Sequence, residues 1–242
     1  CVLSANCDIN LSLINAASES DGILQWDIES GKCIGAISSP GNGKSYRCVK
    51  SISSRGILIA GGETEGFMEI WDTKDRKNIQ IFDITKTMNE NVQLLKADSG
   101  SSTFTSWKNG NNLWVSDLDV DAGGNWVTCC GGVEGGRRNS NGFLTVFYLQ
   151  TRSLVSGYST RGAMHSATYH DAFNKILTTS NDGTIQYWSR PDVTRVGQTQ
   201  LSSGCGYSVS VNPINSYIAV GGAGPLVDCF AQLGNRSFSV SF

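Results

Sequence analysis

Five times along this chain a turn rich in small residues leads into a short alternating run that ends on an aromatic side chain. The segments are SESDGILQWDI (Ser18–Ile28), GGETEGFMEIWDT (Gly61–Thr73), SNGFLTVFYL (Ser140–Leu149), SNDGTIQYWS (Ser180–Ser189) and GGAGPLVDCFA (Gly221–Ala231). Their aromatics, Trp26, Trp71, Phe147, Trp188 and Phe230, are spaced by 45, 76, 41 and 42 residues. A unit of this size cannot bury its apolar face alone, so repetition dictates stacking of neighbour on neighbour. The one long spacing holds a repeat plus about 33 extra residues. The excess falls in the polar stretch after Asp83, and residues 84–112 are read as a long loop between two units. A loop of that length is functional or disordered.

Each unit divides into four strand-like pieces, β-branched or alternating and bounded by turn residues. Inner strands are expected at Tyr46–Ile52, Leu113–Val120, Ser166–His170 and Tyr207–Asn212, with a first one at Cys1–Ala5. Second strands follow at Ile57–Gly62, Trp126–Gly132, Lys175–Ser180 and Tyr217–Gly222. The aromatic-ended strand comes third. A fourth closes the unit, as at Lys32–Ile37, Lys77–Phe82, Arg152–Tyr158 and Arg236–Phe242. Four strands per unit, a period near 40–45 and a terminal Trp-Asp are the marks of a WD40 β-propeller. The expectation is therefore an all-β, single-domain propeller over residues 1–242, with about five blades visible. Seven is the usual WD count, so about two further blades are expected ahead of Cys1.

Composition narrows the function. Nineteen Lys and Arg against 21 Asp and Glu give a net charge of −2, without the basic excess of a dedicated nucleic-acid binder. Apolar residues at 39% and charged residues at 17% suit a folded chain. The eight cysteines are dispersed, and Cys48, Cys129, Cys130 and Cys229 sit in apolar runs. They read as core thiols of a reduced, intracellular protein. With no CxxC and only His165 and His170 available, no metal site is expected. No apolar run is long enough for a membrane span.

The chain offers little that could do chemistry. His165, Thr178, Ser180, Asp182 and Trp188 have the spacing of a buried hydrogen-bond network, the structural device of WD repeats, rather than of a catalytic histidine. No G-x-S-x-G elbow is present. The glycine-rich run Gly131–Gly142 lacks the G-K-[ST] ending of a phosphate loop and joins two strands. Arg137 and Arg138 at its tip read as a solvated turn or as a contact for an acidic partner or an RNA backbone. Trp107 is a candidate interface anchor, with internal packing as the alternative. No enzyme activity, cofactor or small-molecule substrate is expected.

The run VDCFAQLGNRSFSVSF (Val227–Phe242) resembles the chain end of the THO complex subunit 6 family. The strand WVTCCGG (Trp126–Gly132) and the pair LTVFYLQTRS (Leu144–Ser153) are similar to the corresponding blade. The family has a shorter connection where this chain has residues 84–112. The resemblance implies a non-catalytic propeller subunit of the THO part of TREX, a nuclear assembly that couples mRNA processing to export. It implies coiled-coil subunits as partners and any RNA association as indirect. The competing reading is a substrate receptor of a cullin-4 ubiquitin ligase. Receptors of that kind use a Trp-Asp-x-Arg end, and here Trp26-Asp27 is followed by Ile28-Glu29 and Trp71-Asp72 by Thr73-Lys74. Lysine does not replace the guanidinium fork.

Overall fold

A computed structural model describes residues 2–8, 12–19, 22–37, 45–62, 66–98, 113–133 and 141–241. The chain forms five antiparallel sheets, the blades of a β-propeller. Blade 1 is β1 (Val2–Asp8), β2 (Leu13–Ser18), β3 (Ile23–Asp27) and β4 (Cys33–Ile37). Blade 2 is β5 (Tyr46–Ile52), β6 (Ile57–Gly62), β7 (Phe67–Asp72) and β8 (Asn78–Asp83). After a helix, α1 (Ile84–Glu90), and a short strand, β9 (Leu95–Ala97), blade 3 runs β10 (Leu113–Val120), β11 (Trp126–Val133), β12 (Gly142–Tyr148) and β13 (Ser153–Thr160). Blade 4 is β14 (Met164–His170), β15 (Lys175–Ser180), β16 (Thr184–Ser189) and β17 (Thr194–Gln200). Blade 5 is β18 (Gly206–Val211), β19 (Ile218–Gly222), β20 (Leu226–Gln232) and β21 (Asn235–Ser241).

Four apolar clusters hold the blades together, one for each pair of neighbours. Ile23 and Ile37 of blade 1 pack with Tyr46, Leu58 and Trp71 of blade 2. Met68 and Ile70 of blade 2 meet Val115, Val127 and Phe147 of blade 3. Cys130, Leu144 and Val146 meet Met164, Ile176 and Trp188. Leu177, Ile185 and Tyr187 meet Val209, Ile218 and Phe230. Each large side chain buried there contributes about 1.5–3 kcal/mol. The repeat aromatic therefore belongs to the interface with the preceding blade. Trp71, Phe147, Trp188 and Phe230 are at most 1% exposed, whereas Trp26 in blade 1 is 38% exposed. No preceding blade covers Trp26 among the described residues.

Segment 84–112, expected as a loop, has structure in its described part. Asp83 caps α1 by accepting a hydrogen bond from Lys86 N at 2.8 Å, and Ile84 and Met88 are buried. β9 then joins blade 3 as a fifth strand, parallel to β13 through Gly157, Tyr158 and Ser159. It covers an outer edge that would otherwise offer unpaired backbone groups. From there Lys96 Nζ reaches Asp192 O at 2.6 Å and Thr194 Oγ1 at 2.8 Å in blade 4. The insertion ties blade 3 to blade 4 across the outer rim.

Candidate functional site

Every blade carries the same two irregularities in its pairing. The inner strand shifts register by one residue against the second strand, leaving Leu3, Arg47, Ser116, His165 and Tyr207 as the extra residues. The outer strand shifts opposite each repeat aromatic, leaving Ile34, Ile79, Val155, Val196 and Ser237. A β-bulge bends its strand and re-aims a side chain. The outer set explains the exposure of Ile34, Ile79 and Val196 on the rim. Leu3, Arg47, His165 and Tyr207 each stand second in their inner strand, at one mouth of the channel, whereas Ser116 lies deeper in β10 and donates to Met164 O at 2.7 Å.

Four neighbouring blades, 2 to 5, fuse this mouth into a continuous row. The Arg47 guanidinium lies 5.2 Å over the Trp114 ring. Trp114 meets His165 with centroids 6.1 Å apart, and His165 meets Tyr207 edge-on at 5.3 Å. Cation–π and edge-to-face contacts of this kind hold such groups in place. Room for the Trp114 ring depends on Gly132, where an added Cβ would stand 2.5 Å from Trp114 Cζ2. Burial, and then the Arg47 charge, lower the His165 pKa below the ordinary imidazole value, so the ring is neutral near pH 7. Tyr207 is 54% exposed, so the row presents aromatic surface to solvent.

Behind the mouth, side chains on the inner strands clasp the next blade. Asn6 Oδ1 accepts from Ser51 N at 2.9 Å and Ser51 Oγ at 2.7 Å. Asp117 Oδ2 accepts from Ser166 Oγ at 2.7 Å and Ala167 N at 3.1 Å. Asp119 Oδ2 accepts from Thr168 Oγ1 and Tyr169 N, both at 2.9 Å, and Asp119 Oδ1 pairs with Lys50 Nζ at 2.7 Å. Burial drives the Asp117 pKa up to about 6, against the lowering effect of its bonds to Ser166 and Ala167. Neither aspartate is among the site residues expected from the sequence. The signal available was two carboxylates two residues apart on an inner strand, a place where charge is otherwise costly.

The expected network around Trp188 divides in two. Ser180 Oγ donates to Asp182 Oδ1, which also accepts from Thr184 N at 3.0 Å and Thr184 Oγ1 at 2.6 Å. Separately, Trp188 Nε1 donates to Thr178 Oγ1 at 2.9 Å. His165 joins neither. The bulge between Met164 and Ser166 sends its ring to the channel mouth, between Trp114 and Tyr207. The acids of the Trp-Asp pairs close turns. Asp27 accepts from Ser30 Oγ at 2.5 Å and Ser30 N at 3.1 Å, and Asp72 from Lys74 N at 2.9 Å and Asp75 N at 2.7 Å.

Trp107, Arg137 and Arg138 lie outside the described residues. Their segments are flanked by Asp98 and Leu113, and by Val133 and Asn141, at the mouth end of blade 3. Of the cysteines, Cys48, Cys129 and Cys130 are buried free thiols, Cys229 is half-buried, and Cys7 and Cys33 are exposed. Among the described residues no cluster of His, Cys, Asp and Glu could hold a metal, and no helix is long and apolar enough to cross a membrane. No protein-family model matches this chain, and no curated protein matches it either.

Proposed function

We propose that this chain is a non-catalytic scaffold that binds macromolecular partners at the bulge-lined mouth of its channel. The observation that carries the reading is the inner bulge, placed at one register in all five blades. In blades 2, 4 and 5 the extra residues are Arg47, His165 and Tyr207, and with Trp114 of β10 they form a row of side chains in contact. Aromatic and arginine side chains are the residues that anchor interfaces. The surroundings of the two histidines support a non-enzymatic role. His165 packs between rings, and His170 Nε2 lies 3.2 Å from Ser216 O. Among the described residues neither has a hydrogen bond to a serine, threonine or cysteine side chain, as a general base for a nucleophile requires.

The assembly we propose is the THO part of TREX in the nucleus, with coiled-coil THO subunits as direct partners and RNA contacted only through them. The support is the resemblance carried by Val227–Phe242, together with a net charge of −2 and the absence of basic excess. The test is affinity purification of the tagged protein from nuclear extract with and without RNase, alongside the exposed-residue variant Tyr207→Glu. Recovery of THO subunits in both samples, reduced at least tenfold by Tyr207→Glu, is the expected result. Recovery of the cullin-4 adaptor without THO subunits would overturn the export reading in favour of a ligase receptor. Recovery of THO subunits that Tyr207→Glu leaves unchanged would place the contact away from the mouth.

A further inference from the structure

Blades 4 and 5 differ at one register on the outer rim. Two residues before the repeat aromatic, blade 5 has Asp228 and blade 4 has Gln186. Opposite these lie Ser239 and Gln198, and opposite the aromatics lie Arg236 and Arg195. In blade 5 the position is fully served. Asp228 accepts from Ser202 N and Ser239 Oγ, each at 2.6 Å, and Arg236 Nη1 stands 3.5 Å away. Burial opposes the charge on Asp228, but these donors and Arg236 outweigh it and lower its pKa.

In blade 4 the arginine is drawn elsewhere. Arg195 faces Asp98, at the end of the insertion, with contacts of 2.7 and 3.1 Å, and Tyr158 OH also donates to Asp98 at 3.1 Å. A cavity of about 350 Å³ opens at the register where blade 5 has Arg236 and Ser239 against Asp228. It is lined by Asp98, Arg161, Asp182, Gln186, Arg195 and Gln198. Gln186 is 2% exposed, its Nε2 donates to Thr184 Oγ1 at 3.2 Å, and its Oε1 has no partner. A buried carbonyl without a donor costs about 1–3 kcal/mol, so this acceptor calls for a ligand or a water.

We propose that this cavity is a binding site for a neutral N–H donor, a primary carboxamide or ureido group, taken by Gln186 Oε1. Charge selects the class. The two arginines and two aspartates of the lining cancel, and Gln186 carries no charge to balance a cation. In blade 5 the guanidinium of Arg236 is matched by the carboxylate of Asp228. In blade 4 Gln186 replaces the acid and Arg195 is held by Asp98, so an uncharged donor fits beside Gln186 and a guanidinium does not. The site stands independently of the scaffold reading, because a free small molecule tests it.

The probes are n-butylurea and n-butylguanidinium, which have the same shape, carry no other amide and differ in charge. Each is titrated into the intact chain, with the Trp188 indole N–H followed by NMR. The wild type is expected to bind the ureido probe saturably, at least tenfold more tightly than the guanidinium probe. Gln186→Leu removes the acceptor and should weaken ureido binding at least tenfold. Gln186→Glu restores the acid of blade 5 and should reverse the preference. Asp98→Ala, away from the acceptor, should release Arg195 to cover Gln186 and abolish binding. Thermal melting confirms that each variant is folded. If the wild type binds neither probe saturably, or if Gln186→Leu binds as the wild type does, the cavity holds solvent only and the proposal is wrong.

Discussion

Blades 2 and 4 hold a tryptophan at the same register and treat it differently. Trp188 pairs with Ile176 across the sheet and Trp71 with Leu58, and both rings are buried against the preceding blade. In blade 4 the indole N–H finds Thr178. In blade 2 the equivalent position is Ala60, and Trp71 Nε1 has no partner. Blade 2 places its polar contact elsewhere, with Tyr46 OH donating to Glu69 Oε2 at 2.6 Å. Burial of the ring is thus common to both blades, and the hydrogen bond is peculiar to one. The apolar volume holds the repeat together, and the polar network is an addition that a blade can lack.

Removing either ring has the largest effect. Trp188→Ala and Trp71→Ala should each cost about 3–5 kcal/mol, since both leave a cavity of the same kind at a blade interface. Denaturant unfolding that found only one of them costly would refute the idea of a shared role. The next effect lies on the inner strands, where blade 3 has Asp117 at the register that holds Cys48 in blade 2 and Ser166 in blade 4. Because the folded-state pKa of Asp117 is raised to about 6, its ionisation opposes folding. Stability from this group is full below the unfolded pKa near 4 and is lost as pH rises through about 6. Asp117→Asn should match the wild type near pH 4 and exceed it near pH 7 by up to about 3 kcal/mol, reduced by solvent screening. Melts across that window would check the sign.

Smaller changes sharpen the contrast between the tryptophans. Trp188→Phe strands Thr178 and loses a hydrogen bond, whereas Trp71→Phe removes a donor that already lacked a partner. The first should cost about 1 kcal/mol more than the second. Ala60→Ser should give Trp71 the acceptor that Thr178 gives Trp188, stabilising by roughly 0.5–1 kcal/mol, a rise of about 2–4 °C in Tm at most. A Tm that falls would mean that blade 2 has no room for the hydroxyl.

The repeat, its period and the five repeat aromatics were legible because burial, complete for four of them, leaves a periodic trace in residue type. The four-strand division of each unit was legible for the same reason, with β5, β6, β10 and β15 at the expected bounds. The bulges were not. A one-residue slip in pairing is a property of two strands together, and nothing in MHSATYH says that His165 is the residue left out. That slip moved His165 from the expected network to the channel mouth. β9 was equally hidden, since LKA is three residues long and owes its strand conformation to pairing with distant β13. The exposed rim residues Ile34, Ile79 and Val196 follow from the outer bulges, which alternation alone cannot place.

The bulge-lined mouth is the proposed partner surface. Hydrogen exchange of the chain, alone and with purified coiled-coil THO subunits, tests it most directly. The account predicts new protection at the starts of the inner strands, around Arg47, Trp114, His165 and Tyr207, with the outer strands unchanged. Protection confined to the outer strands or to the opposite end of the channel, or none at saturating partner, would contradict it.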